Sequence, residues 1–182
     1  NRLNRRAGQG WTRVPPALWA VLTVALAAAQ ATDGLVTPTI LPALQAAGYD
    51  RTFAALPAVL PPATALPSGL GDWRAIGRNR QSHAVRLPAG VQIDLGGSAK
   101  GWAADSVARR LAQHGPALVD VGGDIAVSGP QHTGAPWPIG VADPHRREEI
   151  IDLLAIYAGG VATSGRDYRR WRQGDVERHH LI

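Results

Sequence analysis

Cysteine and methionine are both absent from the 182 residues, and lysine occurs once, at Lys100. Without cysteine, the chain has no disulfide framework, no thiolate metal site and no thiolate nucleophile. The missing methionine and the alternating run over residues 178–182 give the expectation that this sequence is a segment of a longer protein.

Long apolar runs are also lacking. The mostly apolar stretch over residues 17–31 is shorter than the roughly 20 residues that a membrane-spanning helix needs. It also lacks a signal peptide's basic flank followed by a cleavage site. The net charge of +5 is spread along the chain, which favours solubility over nucleic-acid binding, and no nucleic-acid partner is expected.

The hydrophobic period changes along the chain. Helical spacing after Pro15-Pro16 and before Gly34 predicts one helix, and residues 39–47 predict a shorter one. Residues 56–71 are rich in proline and alanine and predict a surface loop. A third helix is expected over residues 99–114, with Ala103, Val107 and Leu111 as its buried stripe.

The remaining segments favour strands. They are residues 73–78, 84–87, 91–95, 117–121, 125–128, 139–143, 153–157 and 160–163, with a last strand after the turn at Gly174-Asp175. A basic segment, residues 166–172, precedes that turn. Two helices followed by many strands with one helix between them predict an α+β fold, with helices packed on a mostly antiparallel sheet.

Three glycine-rich turns could carry chemistry. In the first, residues 93–101, a strand enters a glycine loop that contains Lys100, and a helix leaves it. Backbone N–H groups at a helix start favour phosphate, and an ammonium adds positive charge, so this loop suits a nucleotide. Its spacing matches neither the P-loop nor the dinucleotide fingerprint, and a plain tight connection stays open as the alternative. The turns at 120–124 and 162–165 are weaker signals, the former being equally typical of a hairpin.

Adjacent histidines occupy positions 179 and 180 of the expected last strand. Neighbours on a strand point to opposite faces, so His179 and His180 are not expected to share one metal ion. Spacing alone does not choose which of the two faces a site.

Taken in order, these segments resemble the FAD:protein FMN transferase family, known as the ApbE family. The resemblance is carried by the following segments: Arg2-Leu3-Asn4, Thr32-Asp33-Gly34 with Pro38-Thr39, Gly48-Tyr49-Asp50, the run from Asp94 to Asp105, Val121-Gly122-Gly123-Asp124, Thr163-Ser164-Gly165 with Tyr168, and His180-Leu181-Ile182. It implies an ApbE-like (T-fold-like) α+β domain, expected to be a single domain over residues 1–182 and incomplete at both ends.

The resemblance also implies site residues. The residues placed at FAD are Leu35, Val36, Thr37, Asp94, Lys100, Ser164 and Ile182. Gly97 supplies a backbone oxygen to Mg²⁺, a cation that prefers oxygen ligands. His180 is the catalytic candidate, a general base whose ordinary pKa of about 6.5 suits proton removal near neutral pH. The family's later Asp and Thr metal ligands are expected outside this chain.

The activity that the resemblance implies is transfer of FMN from FAD to a threonine hydroxyl of a target protein, with AMP released and Mg²⁺ required. FAD is then a substrate, and the partner would be a threonine-bearing protein of a membrane redox system. A cell-envelope location, periplasmic or membrane-anchored, is the matching expectation. The alternatives are a flavin-binding module that only holds or hydrolyses FAD, and a nonenzymatic domain whose glycine loops are only turns.

Overall fold

The computed structural model describes residues 2–63, 69–146, 148–166 and 169–181. They group into two compact units. Unit 1 is formed by the described residues of Asn1–Gly97 and Tyr168–Ile182, and unit 2 by those of Ser98–Asp167. The single domain expected over residues 1–182 stays a prediction.

Four α-helices are present in the described residues: α1 (Arg2–Arg5), α2 (Pro16–Ala31), α3 (Leu41–Ala46) and α4 (Gly96–Leu111). Short 3₁₀ helices cover Pro38–Ile40, Phe53–Ala55 and Trp73–Ala75. The strands are β1 (Thr12–Arg13), β2 (Val59–Leu60), β3 (Gly77–Asn79), β4 (Ala84–Arg86), β5 (Leu118–Asp120), β6 (Asp124–Val127), β7 (Trp137–Ala142), β8 (Ile150–Ile156), β9 (Gly159–Ala162), β10 (Arg170–Gln173) and β11 (Val176–His179).

The predicted first long helix is confirmed as α2. Pro16 stands at its first position, where a missing N–H costs nothing. Past its end, Gly34 has a φ of +88° and donates its N–H to the Ala29 carbonyl at 2.7 Å. This left-handed residue stops the helix, as glycine commonly does. Among the described residues, no helix combines the length and the apolar character required to cross a bilayer.

The sheets are small and mostly antiparallel. In unit 1, β4 lies between β1 and β3, and β10 lies between β11 and β2. In unit 2, β6 lies between β5 and β9, while β7 pairs with β8 alone. Among the described strands only β10 and β2 run parallel. The α+β prediction is therefore confirmed.

The core of unit 1 forms beneath α2. Leu22, Val85 and Leu87 are almost completely buried there. The core also contains Leu3, Val14, Leu26, Ile76, Val91 and Ile93. These apolar side chains come from α1, α2, β4 and the connecting segments, among them the one before α4, so the same cluster supports the start of α4.

The strand expected over residues 91–95 is not present. Val91 and Ile93 are buried as the alternation predicted, but none of the described strands pairs with the segment. The side chain of Asn4 provides the hydrogen bonds that a neighbouring strand would otherwise make. Its amide nitrogen donates to the Ile93 carbonyl at 2.9 Å, and its oxygen accepts from the Ile93 N–H at 3.0 Å. A buried backbone pair is thus satisfied by a side chain from far along the chain.

Three other predictions needed correction. Residues 73–78 begin as a 3₁₀ helix before β3, the loop over 56–71 contains β2, and the basic segment 166–172 runs into β10. In β10, Trp171 and Gln173 are buried while Arg170 and Arg172 are exposed. The arginines made this half-buried strand look like a basic segment in the sequence.

The predicted buried stripe of α4 is also wrong. The helix is buried through Ala104 and Ala108, one position further on, while Val107 and Leu111 are exposed. Ala104 and Ala108 pack against Ala126 of β6. Two small side chains of the helix therefore face the sheet.

The first testable prediction concerns Asn4. We expect Asn4→Ala to destabilise the full-length protein by about 2–4 kcal/mol, because the buried N–H and carbonyl of Ile93 lose their hydrogen-bond partner. Urea unfolding measures the change. Gln9→Ala, in an exposed position of the same N-terminal region, is the control and should change stability by less than about 0.5 kcal/mol. Equal stability of the two variants would contradict the anchoring role.

Candidate functional site

The loop that follows α2 presents apolar side chains to solvent. Asp33 and Gly34 both have positive φ, and they turn the chain out of the helix. Leu35 is 89% exposed, and the neighbouring Val36 is also exposed. The Val36 N–H donates to the Thr32 hydroxyl at 3.0 Å, which fixes the loop to the last turn of the helix. This ordered loop therefore offers a bare apolar surface.

The same loop is braced from outside by Trp73 and Arg74. Arg74 pairs with Asp33 at 2.5 Å, and its guanidinium lies over the Trp73 ring at 4.4 Å. A Cβ at Gly34 would meet Trp73 Nε1 at 3.0 Å. Gly34 is therefore required both by its φ and by the close approach of the indole.

Thr37 is buried and takes part in a chain of hydroxyl hydrogen bonds. The Thr39 hydroxyl donates to the Gly71 carbonyl at 2.5 Å, and the two threonine hydroxyls lie 2.9 Å apart. A hydroxyl has one hydrogen, so Thr39, having donated to Gly71, accepts from Thr37. The Thr37 hydroxyl hydrogen is thus used inside the protein. Any contact of Thr37 with a ligand as a donor must come from its backbone.

Asp94 lies beside this loop. Its N–H donates to the Pro38 carbonyl at 2.8 Å, so the structure brings the loop over residues 35–38 together with Asp94. Carboxylate oxygen Oδ1 accepts from the Gly96 N–H at 2.8 Å at the start of α4. Asp94 therefore bonds to the first residue of the helix with one oxygen, and within the described residues the other oxygen is left for a ligand.

Gly97 is the second residue of α4, in the first turn, where helical N–H groups have no partner within the helix. A Cβ at Gly97 would meet no atom within 4 Å, so its backbone is open to an approaching group. The helix begins three residues earlier than residue 99, where the sequence predicted it.

Lys100 is held by the hairpin that joins β5 to β6. Its Nζ lies 2.5 Å from Oδ2 of Asp124 and donates to the Gly122 carbonyl at 3.4 Å. Of the two interpretations left open for residues 120–124, the structure shows the hairpin, since Asp120 pairs with Ile125 across the turn. Gly122 and Gly123 both have positive φ, which this tight turn requires.

Ser164 follows β9 and is exposed. Ala162, at the end of that strand, pairs with Asp124 in the adjacent β6. A Cβ at Gly123 would lie 3.8 Å from Cβ of Thr163. Within unit 2, the structure therefore brings the end of β9, just before Ser164, close to the turn that holds Lys100.

The two histidines are half-buried, but only one belongs to the strand. His179 ends β11 and pairs with Arg170 of β10. His180 follows the strand, so the strict alternation assumed from the sequence does not apply to it. Ile182 lies outside the described residues.

A model of the ApbE family matches residues 1–182, the whole chain. The chain belongs to the ApbE family. It is 31% identical over 201 residues to a curated FAD:protein FMN transferase of Treponema pallidum, a match that covers 99% of this chain and 54% of the relative. The FAD:protein FMN transferase of Salmonella typhimurium is 30% identical over 177 residues, covering 93% of this chain and 50% of the relative.

The fold matches the crystal structure of the ApbE protein of Thermotoga maritima. The TM-score is 0.80 at 29% identity, and the match covers 100% of this chain and 59% of the other. The chain thus spans about half the length of the curated ApbE relatives it matches.

Thr39 and Asp124 were not predicted from the sequence as partners of the candidate site residues Thr37 and Lys100. In the sequence, Thr39 is only the last residue of a motif, and its hydrogen bond to Gly71 spans 32 positions. Asp124 is only the last residue of a glycine-rich turn. The single lysine was the available signal in the sequence. Its distance to Asp124 follows from the fold and not from spacing.

A second prediction tests the threonine chain. We expect Thr39→Val to destabilise the full-length protein by about 1–3 kcal/mol, because the Gly71 carbonyl and the Thr37 hydroxyl both lose their partner. Thr39→Ser keeps the hydroxyl and should retain more of the stability. Thr133→Val, at an exposed threonine, controls for the change of residue type. The free energy of unfolding of the three variants is measured by chemical denaturation. Equal values for Thr39→Val and Thr39→Ser would disprove the role of the hydroxyl.

Proposed function

We propose that the full-length protein is an FAD:protein FMN transferase, which moves FMN from FAD to a threonine hydroxyl of a target protein and releases AMP. The observation that carries the proposal is the arrangement at Asp94. An exposed apolar loop is hydrogen-bonded to this residue, and a glycine-rich helix begins two residues later. The names of the curated relatives support the same activity.

The loop after α2 would receive the flavin. A flavin ring is broad and flat, and covering the exposed side chains of Leu35 and Val36 would remove apolar surface from water. Thr37 would contribute its backbone, since its hydroxyl hydrogen is already used. The free oxygen of Asp94 is a hydrogen-bond acceptor, so it would contact a hydroxyl or N–H of FAD and not a phosphate.

The start of α4 and Lys100 would act on the phosphates. Helix N-terminal N–H groups favour anions, and Gly97 leaves that backbone uncovered. Lys100 has three N–H donors, of which two point to Asp124 and Gly122, and the third is left for a phosphate oxygen. The exposed hydroxyl of Ser164 is a further donor, and Ile182 is assigned to the flavin by the resemblance.

The chemistry is a phosphoryl transfer in which the attacking oxygen comes from the target threonine. That oxygen bonds to the phosphorus of the FMN half of FAD, and the bond from this phosphorus to the bridging oxygen breaks. AMP leaves with the bridging oxygen. His180 would take the proton of the threonine hydroxyl as general base. The flavin is neither oxidised nor reduced, so FAD serves as a substrate.

Magnesium fits the described residues only in part. Gly97 offers one backbone oxygen, but no group of three or more His, Cys, Asp or Glu side chains in the described part of the chain is placed to hold a metal ion. These residues do not make a complete magnesium site, and no step above uses the ion. Dependence on Mg²⁺ is part of the proposal through the resemblance and the charge of the two phosphates.

The target is proposed to be a threonine-bearing protein of a membrane redox system, and the location to be the cell envelope. Both rest on the family resemblance. The target would have to present its threonine hydroxyl to the FMN phosphorus, so the acceptor segment must be exposed in the target.

The third prediction tests the activity. Full-length protein mixed with FAD, Mg²⁺ and a threonine-bearing target should yield FMN attached to the target, detected by mass spectrometry, with AMP formed in equal amount. A target whose threonine is replaced by valine should gain no FMN. Excess chelator should abolish transfer, and full activity in chelator would disprove the metal requirement. AMP and free FMN formed without any target would instead indicate an FAD hydrolase, and FAD binding without products a flavin-binding module.

The fourth prediction concerns Lys100. Lys100→Ala should slow FMN transfer by about tenfold or more, because a positive charge at the phosphates is lost. Lys100→Arg should also be impaired, since a broad planar guanidinium replaces a compact ammonium beside a tight glycine turn. The loss of a partly exposed ion pair should cost about 1 kcal/mol of stability or less.

The matched control is Arg109→Ala, which removes an exposed basic side chain from the same helix. It should leave transfer unchanged. Transfer rates and thermal unfolding are measured on all three variants. Wild-type rates in both Lys100 variants would refute its assignment to the phosphates.

A further inference from the structure

The turn before β6 places a carboxylate against the single lysine of the chain. Asp124 is only 18% exposed, and its Oδ2 lies 2.5 Å from Nζ of Lys100. The side chain of Lys100 is 42% exposed, so the ammonium still reaches solvent from the pair. The Lys100 ammonium is therefore accessible to a ligand, whereas the Asp124 carboxylate is largely enclosed by protein.

The turn that carries Asp124 is itself held firmly. Asp120 Oδ1 accepts from the Gly123 N–H at 2.8 Å, and the Val121 N–H donates to the Asp124 carbonyl at 2.9 Å. Asp124 then enters β6, where it pairs with Ala162 of β9. The carboxylate thus projects from backbone that is bonded on both sides, whereas the four-carbon chain of Lys100 is flexible on its own.

We infer that Asp124 is a positioning residue, which holds the Lys100 ammonium so that its remaining N–H points to the phosphates of FAD. This inference rests on the proposed function. Asp124 and the Gly122 carbonyl each accept from the ammonium, and together they restrict its rotation about the end of the side chain. Asp124 itself carries a negative charge, so it acts on the phosphates through Lys100 and not directly.

Two substitutions separate position from charge. Asp124→Asn keeps an oxygen that accepts from the ammonium but removes the charge, whereas Asp124→Ala removes both. If the role is positioning, Asp124→Ala should lower kcat for FMN transfer by about tenfold, since small misplacement of a catalytic group is costly. Asp124→Asn should retain most of kcat, and it should lower the KM for FAD because the positive charge of Lys100 is no longer offset.

A double-mutant cycle supplies the decisive measurement. In a Lys100→Ala background, Asp124→Ala should have no further effect on kcat, because the group it positions is already gone. Glu149→Ala, which breaks an exposed ion pair with Arg146 elsewhere in unit 2, is the control and should leave kcat unchanged. Thermal unfolding of every variant identifies any loss of kcat that comes from misfolding.

The outcomes are distinguishable. If the wild-type protein transfers FMN and Asp124→Ala matches it, or if Asp124→Ala slows transfer equally with and without Lys100, the inference is overturned while the proposed function stands. If Asp124→Asn is as slow as Asp124→Ala while both remain folded, positioning by the oxygen is also overturned. If the wild-type protein transfers no FMN to any threonine-bearing target, the proposed function fails, and the inference fails with it.

Discussion

An extended segment that pairs with none of the described strands leads into the candidate site, and hydrogen bonds from outside any sheet hold it in place. Asn4 satisfies both backbone groups of Ile93, and the Pro38 carbonyl accepts from the N–H of the next residue, Asp94. Buried backbone without such partners would cost several kcal/mol. The position of Asp94, and of Gly96 to which its carboxylate is hydrogen-bonded, therefore depends on α1 and on the loop after α2.

Elements with local determinants were predictable from the sequence. The helix between Pro16 and Gly34 is defined by its own termini, and the hairpin at Gly122-Gly123 by the positive φ that its turn requires. For residues 91–95, the alternation predicted the buried side chains Val91 and Ile93 correctly, but the segment is not a strand. Alternation reports only that one face is buried, and the partner that replaced a neighbouring strand was a side chain 89 positions away.

The face of α4 was mispredicted for a related reason. The sequence favours the larger apolar residues Val107 and Leu111 as the buried ones, because burying them removes more surface from water. The structure instead places Ala104 and Ala108 against the sheet. Close approach of a helix to a sheet favours small side chains, and this tertiary preference overrides the size of individual residues.

The candidate site shows the same division between local pattern and long-range contact. The glycine-rich start of α4 was visible in the sequence, whereas the acceptors of the Thr39 hydroxyl and of the Lys100 ammonium were not. The Thr39 hydroxyl reaches Gly71, and Lys100 reaches Asp124 and Gly122. Each such contact joins two segments that are distant in sequence and that only the fold brings together, so no spacing rule could have supplied them.

Pairing with a carboxylate does not make Lys100 unsuited to binding phosphate, because the pair is weak enough to exchange partners. Lys100 is the fifth residue of α4, where the unfavourable effect of the helix dipole on a cation is already small, and Asp124 offsets it before any ligand arrives. Because Lys100 remains partly exposed, the pair contributes only about 1 kcal/mol or less. A phosphate oxygen can therefore share the ammonium, or replace the carboxylate, at small cost. A deeply buried pair would hold the lysine too tightly to exchange partners, and an unpaired lysine would have to lose the freedom of a long side chain at the moment of binding.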